Sequence, residues 1–142
     1  MGLPATALSD SERALLERLP PRAVILFSRN IASLEQTRTL AGEIRRLPGP
    51  PLLCVDQEGG PVDRLRAALT PSISFREAAQ RGAAARAGEL AGEACALFGL
   101  DVDLAPVVDR HLPGRSERVL RDRCAFAEPE EIGRAALEFL KG

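Results

Sequence analysis

The sequence contains no tryptophan and no tyrosine, and its five phenylalanines bring the aromatic content to only 4%. So few rings do not supply the stacking platform on which proteins bind unpaired bases. Neither charge is in surplus, because 19 basic residues face 20 acidic ones, so nothing predicts nucleic acid as a partner. No apolar run approaches the roughly 20 residues of a membrane span, and the N-terminal segment lacks the pattern of a signal peptide. We therefore expect a cytoplasmic protein that binds neither nucleic acid nor membrane.

The sequence is also poor in metal ligands. Its three cysteines, Cys54, Cys95 and Cys124, are widely spaced and form no CxxC pair, and the lone histidine, His111, cannot complete a zinc site. An odd number of scattered cysteines is typical of reduced thiols in a cytosolic protein. We therefore predict reduced thiols, no metal and no cofactor.

What the sequence does contain is an alternation of helical and strand-like segments within 142 residues, 45% of them apolar. Capping boxes at Ser9–Glu12 and Ser33–Gln36 predict two helix starts, and Pro129 with its flanking acids predicts a third. Continuous apolar runs of strand length predict strands buried on both faces. The predicted strands are 23–27, 52–55 and 102–108. Four helices are predicted: one starts at Ser9, two span 33–47 and 75–98, and one starts at Pro129. Gly99 is the predicted stop of the helix over 75–98, and the inner face of the final helix is predicted to carry Ile132, Ala136, Phe139 and Leu140.

The resulting order, α-β-α-β-α-β-α, predicts an α/β fold with a parallel sheet and right-handed crossovers. Two long loops, Asp56 to Ser74 and Asp109 to Phe126, each follow a predicted strand. Because α/β proteins place their sites at the carboxyl ends of parallel strands, these loops are where we expect functional residues.

The sharpest local feature is Asp56-Gln57-Glu58-Gly59-Gly60, with Arg64 following in the same loop. Asp56 either grips a polar ligand such as sugar hydroxyls or simply caps the next turn, and Arg64 either contacts a substrate or is a solvated loop charge. Arg123 similarly has two interpretations, an internal ion pair or a ligand contact. A Ser116–His111–Asp109 triad lacks the context of a nucleophile elbow, and we discount it.

Taken together, several segments resemble the N-terminal catalytic domain of glycoside hydrolase family 3, and in particular its bacterial β-N-acetylhexosaminidase branch. The matching stretches are Ile25 to Asn30 (ILFSRN), Leu52 to Arg66 (LLCVDQEGGPVDRLR), Gly99 to Asp109 (GLDVDLAPVVD), and Val119 to Phe126 with the helix that follows. Their order and spacing extend over nearly the whole chain.

The resemblance implies a (β/α)₈ barrel that hydrolyses terminal β-linked N-acetylglucosamine, typically from cell-wall fragments, with retention. It implies that Asp56, Arg64 and Arg123 bind the sugar substrate. It assigns no catalytic residue to this chain, because the family's KHFPGHG-like segment, its His-Asp acid/base loop and its nucleophilic aspartate would all follow residue 142. Whether the chain is itself an enzyme is therefore left uncertain.

Such a barrel typically needs about 250 residues, so we expect residues 1–142 to form the N-terminal half of one, as a truncated product or one part of a split gene. The alternatives are a β-glucosidase-like member of the same family, or a non-catalytic sugar-binding half barrel that needs a partner or self-association. Two departures from the family favour the non-catalytic alternative: Pro61 replaces the usual Arg after the glycine pair, and Arg121 replaces a glycine. An open half barrel also predicts exposed apolar surface at 23–27 or 102–108.

Overall fold

The structure, a computed structural model, describes residues 1–115 and 118–142, so Ser116 of the discounted triad lies outside the described residues. The helices are α1 (Asp10–Arg18), α2 (Leu34–Arg45), α3 (Phe75–Gln80), α4 (Ala84–Phe98) and α5 (Pro129–Phe139). The strands are β1 (Ala23–Leu26), β2 (Leu52–Val55), β3 (Gln57–Gly59), β4 (Val62–Asp63) and β5 (Val102–Asp103). Within the described part of the chain, no helix is long and apolar enough to cross a membrane.

The chain divides into two compact units. The first comprises Met1–Asp56, Arg64–Thr70 and Ala94–Leu104, and the second comprises Gln57–Asp63, Pro71–Glu93 and Ala105–Gly142. Each unit has its own cluster of buried apolar side chains.

The first unit is built on a parallel sheet in the order β1-β2-β5, in which Ala23 pairs with Leu52 and Cys54 pairs with Val102. This confirms the predicted parallel strands. The apolar runs form strands because their side chains are covered: those buried in the cluster include Leu16, Val24, Leu26, Leu40, Ile44, Leu53, Val55 and Phe98. Helices α1 and α2 contribute one apolar stripe each to this cluster, as amphipathic helices do.

The two predicted capping boxes differ in outcome. Ser9 and Glu12 form the reciprocal pair, since the Ser9 hydroxyl accepts from the Glu12 N–H and the Glu12 carboxylate accepts from the Ser9 N–H at 2.9 Å. Ser33 caps α2 by accepting from the Gln36 N–H at 3.1 Å, but the Gln36 Oε1 accepts from the N–H of Ala32 instead of Ser33. The second box was therefore wrong in detail, because the Gln36 side-chain amide also donates to the carbonyls of Thr6 and Asn30 and is drawn toward them.

The outer edge of β1 is paired with the N-terminal residues. Gly2 forms a parallel bridge with Ile25, the Ile25 N–H donates to Met1 at 2.8 Å, and the Met1 ammonium donates to Ala23 at 3.0 Å. The apolar exposure expected at a half-barrel edge is therefore absent from 23–27 among the described residues. It is present in the other predicted segment, where Leu104 is 52% exposed and Val108 is 58% exposed.

Two predicted boundaries and one predicted inward-facing residue were wrong. The helix expected over 75–98 is two helices, since the chain breaks after Gln80 and turns through Gly82 at φ +68°. The strand expected over 102–108 ends at Asp103, because Pro106 has no N–H to continue a ladder. Leu140 is 70% exposed rather than inward-facing, because it is the C-cap residue of α5, and Ala135 is buried with Ile132 and Ala136 instead.

The predicted end of α4 is confirmed. The N–H of Leu100 donates to Cys95 at 2.8 Å and the N–H of Gly99 donates to Ala96 at 3.1 Å. These two bonds are the Schellman pattern, in which a glycine just past the helix satisfies carbonyls that the helix leaves unpaired.

The second unit contains an antiparallel hairpin within the segment predicted as a loop, Asp56 to Ser74. Strands β3 and β4 pair Gln57 with Asp63 and Gly59 with Val62. Its apolar cluster is formed largely by small residues, with Phe75 and Phe139 packed edge to face at 5.7 Å between ring centroids. The buried members of this cluster are Phe75, Ala84, Ala125, Ala135 and Ala136.

Candidate functional site

Asp56 and Arg64 lie together in the first unit. Asp56 directly follows β2, and its Oδ2 is 3.4 Å from the Nη2 of Arg64. The Arg64 guanidinium also lies over the ring of Phe27, 5.7 Å from its centroid, and Phe27 directly follows β1. Two of the three predicted site residues are thus in contact at the carboxyl ends of neighbouring parallel strands, where α/β proteins carry their sites.

The side chains of the ILFSRN segment hold the Phe27 ring in place. Asn30 is fully buried, and its side chain accepts from the Phe27 N–H at 2.9 Å while donating to the carbonyls of Leu3 and Ala5 at 3.1 and 2.7 Å. Arg29 stacks on the same ring at 4.6 Å and donates to Leu3. Buried amides with every bond satisfied are rigid, so this network holds the Phe27 ring against which Arg64 rests.

The loop that carries Arg64 is fixed by its neighbour. Leu65 is fully buried in the apolar cluster of the first unit, and its carbonyl accepts from the N–H groups of both Ala68 and Leu69 at 2.9 Å. Arg66, one residue further, is exposed. The buried Leu65 side chain therefore anchors the loop to the first unit and holds the preceding residue, Arg64, beside Asp56.

Arg123 lies in the second unit, where it pairs with Glu58. The guanidinium donates from Nε to Oε2 at 2.7 Å and from Nη2 to Oε1 at 2.8 Å. The Glu58 side chain is only 8% exposed, against 29% for Arg123. This bidentate arrangement is the strongest geometry available to an arginine and a carboxylate.

The hairpin that carries Glu58 is held by buried polar side chains. Asp63 accepts from the Gln57 amide at 2.9 Å through one oxygen and from the Ser72 N–H at 2.9 Å through the other. The N–H of Gly60 donates to the carbonyl of Ser72 at 2.9 Å. Gly59 has φ +75°, and a Cβ there would lie 2.0 Å from the carbonyl oxygen of Ile73, so only glycine fits.

Arg123 is the last residue of a 3₁₀ turn spanning Arg121–Arg123, and the turn begins in an unusual conformation. Arg121 has φ +47°, in the left-handed region that favours glycine. Arg76 pairs with Asp122 at 3.6 Å on the same turn.

A shallow surface depression with essentially no enclosed volume lies beside the Glu58–Arg123 pair. Ligand pockets commonly measure about 300–1,000 Å³, so this depression alone does not enclose a sugar. Its lining residues are Glu58, Gly59, Ser74, Phe75, Val107 and Arg123.

The cysteines are buried thiols without disulfide partners. Burial, followed by the charge of Asp109, raises the pKa of Cys124, whereas Arg123 and Arg76 act in the opposite direction. Burial also raises the pKa of Cys95, to about 12, with a further contribution from Asp103. A thiol held protonated is a poor nucleophile and a poor metal ligand. Among residues 1–115 and 118–142, no cluster of three His, Cys, Asp or Glu side chains could hold a metal ion.

The structure thus brings Asp56 to Arg64 within the first unit and Arg123 to Glu58 within the second. Whether all three predicted residues bind a ligand stays a prediction. The sequence reasoning missed the pairing of Glu58 with Arg123, which lie 65 positions apart. No local pattern in the sequence announces a contact between residues so far apart.

The parallel strands, with charged side chains in the loop at their carboxyl ends, define an α/β domain whose candidate site lies where such folds carry their sites. The chain belongs to glycosyl hydrolase family 3, since the model of that family's N-terminal domain matches residues 1–142.

Individual relatives agree with this assignment. The chain is 40% identical to the β-hexosaminidase of Xanthomonas axonopodis pv. citri, covering 100% of this chain and 46% of that protein. It is 39% identical to the β-hexosaminidase of Alkalilimnicola ehrlichii, covering 100% of this chain and 43% of that protein. The chain therefore spans less than half the length of these curated relatives.

Solved structures show the same likeness. NagZ from Neisseria gonorrhoeae superposes with a TM-score of 0.88 at 28% identity, over 99% of this chain and 44% of that one. A family 3 β-N-acetylglucosaminidase from Paenibacillus superposes with a TM-score of 0.88 at 26% identity, over 99% of this chain and 28% of that one. The predicted fold class, α/β with parallel strands that form part of a (β/α)₈ barrel, is confirmed.

Proposed function

We propose that this chain supplies part of the sugar pocket of a β-N-acetylhexosaminidase that removes terminal β-linked N-acetylglucosamine. The observation that carries the proposal is the contact between Asp56 and Arg64 at the carboxyl ends of β1 and β2. It is supported by similarity along the whole chain to proteins named β-hexosaminidases. A cell-wall origin of the sugar and a cytoplasmic location belong to the same proposal and rest on the family resemblance alone.

In this proposal Asp56 and Arg64 act by binding. A carboxylate accepts hydrogen bonds from sugar hydroxyls, and the arginine fork donates to hydroxyl or carbonyl oxygens. Because Arg64 already contacts both Asp56 and the Phe27 ring, little side-chain freedom is lost when the sugar binds. The two side chains are therefore partly ordered before the ligand arrives.

Hydrolysis with retention needs two groups in separate roles, a nucleophile and an acid/base. The segment Asp56 to Gly60 supplies two carboxylates, but Asp56 pairs with Arg64 and both Glu58 oxygens accept from Arg123. The proposal therefore gives this chain a part in binding and assigns no residue of it to the chemical steps.

The test is isothermal calorimetry of the chain with N-acetylglucosamine, together with hydrolysis of a chromogenic β-N-acetylglucosaminide. We expect binding without turnover, and we expect Arg64→Ala to weaken binding about tenfold or more, the effect of losing a hydrogen bond to a charged group. Arg66→Ala, two positions away and exposed, is the matched control and should leave binding unchanged. Equal effects of the two substitutions, or turnover that Asp56→Ala abolishes, would show that the assignment of roles is wrong.

A non-catalytic sugar-binding half barrel that associates with itself is the second candidate. It is favoured by the exposure of Leu104 and Val108 and by the two departures, Pro61 and Arg121. Sedimentation velocity separates the candidates, because self-association predicts a concentration-dependent dimer that Leu104→Asp dissociates. A chain that stays monomeric at high concentration eliminates this candidate.

A further inference from the structure

Glu58 is nearly buried, and both of its carboxylate oxygens accept hydrogen bonds from a single partner. Its two oxygens accept from the Nε and Nη2 of Arg123 at 2.7 and 2.8 Å, and its side chain is 8% exposed. Two parallel bonds fix the plane of a guanidinium as well as its position. The orientation of Arg123 is therefore set by Glu58.

The Glu58 backbone is the more firmly held side of this pair. Both neighbours of Glu58 in β3 are fixed by contacts. The Gln57 amide donates to the side chains of Asp63 and Ser72, and Gly59 packs closely against the backbone of Ile73. Arg123, by contrast, comes from a short 3₁₀ turn that begins at the strained Arg121. Because the hairpin is fixed by several buried bonds, Glu58 places Arg123 rather than the reverse.

We propose that Glu58 is a positioning residue, which holds the Arg123 guanidinium in the orientation that contacts the sugar. This inference rests on the proposed function, together with the role of sugar contact that the family resemblance implies for Arg123. Because each Glu58 oxygen already accepts from Arg123, the proposal gives Glu58 no sugar contact of its own.

The test is a double-mutant cycle on the full chain, with N-acetylglucosamine as the probe in calorimetry. We expect Arg123→Ala and Glu58→Gln each to weaken binding about tenfold. If Glu58 acts only through Arg123, the double variant binds as weakly as Arg123→Ala alone. Additive losses, or a Glu58→Gln variant with unchanged affinity, would overturn the inference. Glu77→Gln is the control that should change nothing, because Glu77 is a partly exposed acid of the same unit that pairs with Arg81.

A second readout reports the position of Arg123 without any sugar. In ¹H–¹⁵N spectra we expect the Arg123 Nε–H to exchange slowly in the native chain, to lose that protection in Glu58→Gln and to keep part of it in Glu58→Asp, which retains the charge. The same spectra show whether each variant is folded. A fast-exchanging Arg123 Nε–H in the native, folded chain would overturn the inference directly.

The two hypotheses fail differently. A native chain that binds no N-acetylglucosamine refutes the proposed function and reduces the Glu58–Arg123 pair to a structural contact, which also overturns the positioning role. Binding that depends on Arg64 but survives Arg123→Ala leaves the proposed function standing and refutes only the role of Glu58.

Discussion

Substitution of Gly59 by alanine tests whether the hairpin is held as tightly as its contacts indicate. Gly59 has φ +75°, and an added Cβ would meet the carbonyl oxygen of Ile73 at 2.0 Å, where ordinary contact begins at 3.4 Å. Gly82 in the same unit is the matched control, because it has φ +68° with nothing within 4 Å of an added Cβ. The two alanine variants therefore share the cost of the left-handed conformation and differ only in the clash.

The shared cost is small. An L-residue in the left-handed region loses about 1–2 kcal/mol, and replacing glycine by alanine recovers about 0.4–1 kcal/mol by restricting the unfolded chain. Gly82→Ala should thus cost roughly 1 kcal/mol. Gly59→Ala adds overpacking against a fixed backbone, about 1–3 kcal/mol, and loss of the neighbouring bond from Gly60 to Ser72, about 1 kcal/mol. Its expected total is about 3–5 kcal/mol.

Urea unfolding followed by far-ultraviolet circular dichroism measures both variants on the same scale. If Gly59→Ala lies within about 0.5 kcal/mol of Gly82→Ala, the hairpin moves to accommodate a methyl group and the reasoning is refuted. The same variant should also release the Arg123 Nε–H to exchange, because the displaced strand carries Glu58.

Two further predictions concern pH and strain. Burial raises the pKa of Cys95 to about 12 in the folded chain, whereas the unfolded thiol has its ordinary pKa of 9.0, so the free energy of unfolding should fall between pH 9 and 12 by up to about 4 kcal/mol. Urea titrations in reductant should show a weaker pH dependence of this free energy in Cys95→Ala. An equal pH dependence in both proteins would contradict the prediction. Arg121→Gly should raise the unfolding free energy by about 0.5–1 kcal/mol by relieving the strain at φ +47°. Arg115→Gly, in the same loop without a positive φ, is the control and should lower the unfolding free energy. Thermal unfolding of the two variants checks the sign of each change.

The parallel strands could be predicted because their signal is local. The apolar runs at Ala23–Leu26 and Leu52–Val55 are long enough to exclude a loop and too short for a helix. The β3–β4 hairpin could not be predicted, since Gln57–Gly59 and Val62–Asp63 are polar and only three and two residues long. Tertiary contacts with Ser72, rather than propensity, make them strands.

The candidate site could likewise be predicted only where its residues carry a local sequence signal. Asp56 could be placed because it follows a recognisable strand, and Arg64 because it follows within the same motif. The partnership of Glu58 with Arg123 could not, because it joins a hairpin to a 3₁₀ turn that the sequence presents as two separate loops. Similarly, the helix break at Gly82 is hidden by the alanine periodicity that continues across it.

The two departures from the family pattern act on energy and charge rather than on the path of the chain. At Arg121 the backbone keeps the left-handed conformation that glycine adopts without cost, so the substitution adds strain but leaves the turn that delivers Arg123 in place. Pro61 lies exposed in the turn between β3 and β4, where no ladder bond needs its missing N–H, so the hairpin still forms and a cation is lost from its tip. Glu58 and Arg123, which lie close in sequence to Pro61 and Arg121 respectively, still meet in bidentate geometry, so neither residue prevents the pair from forming.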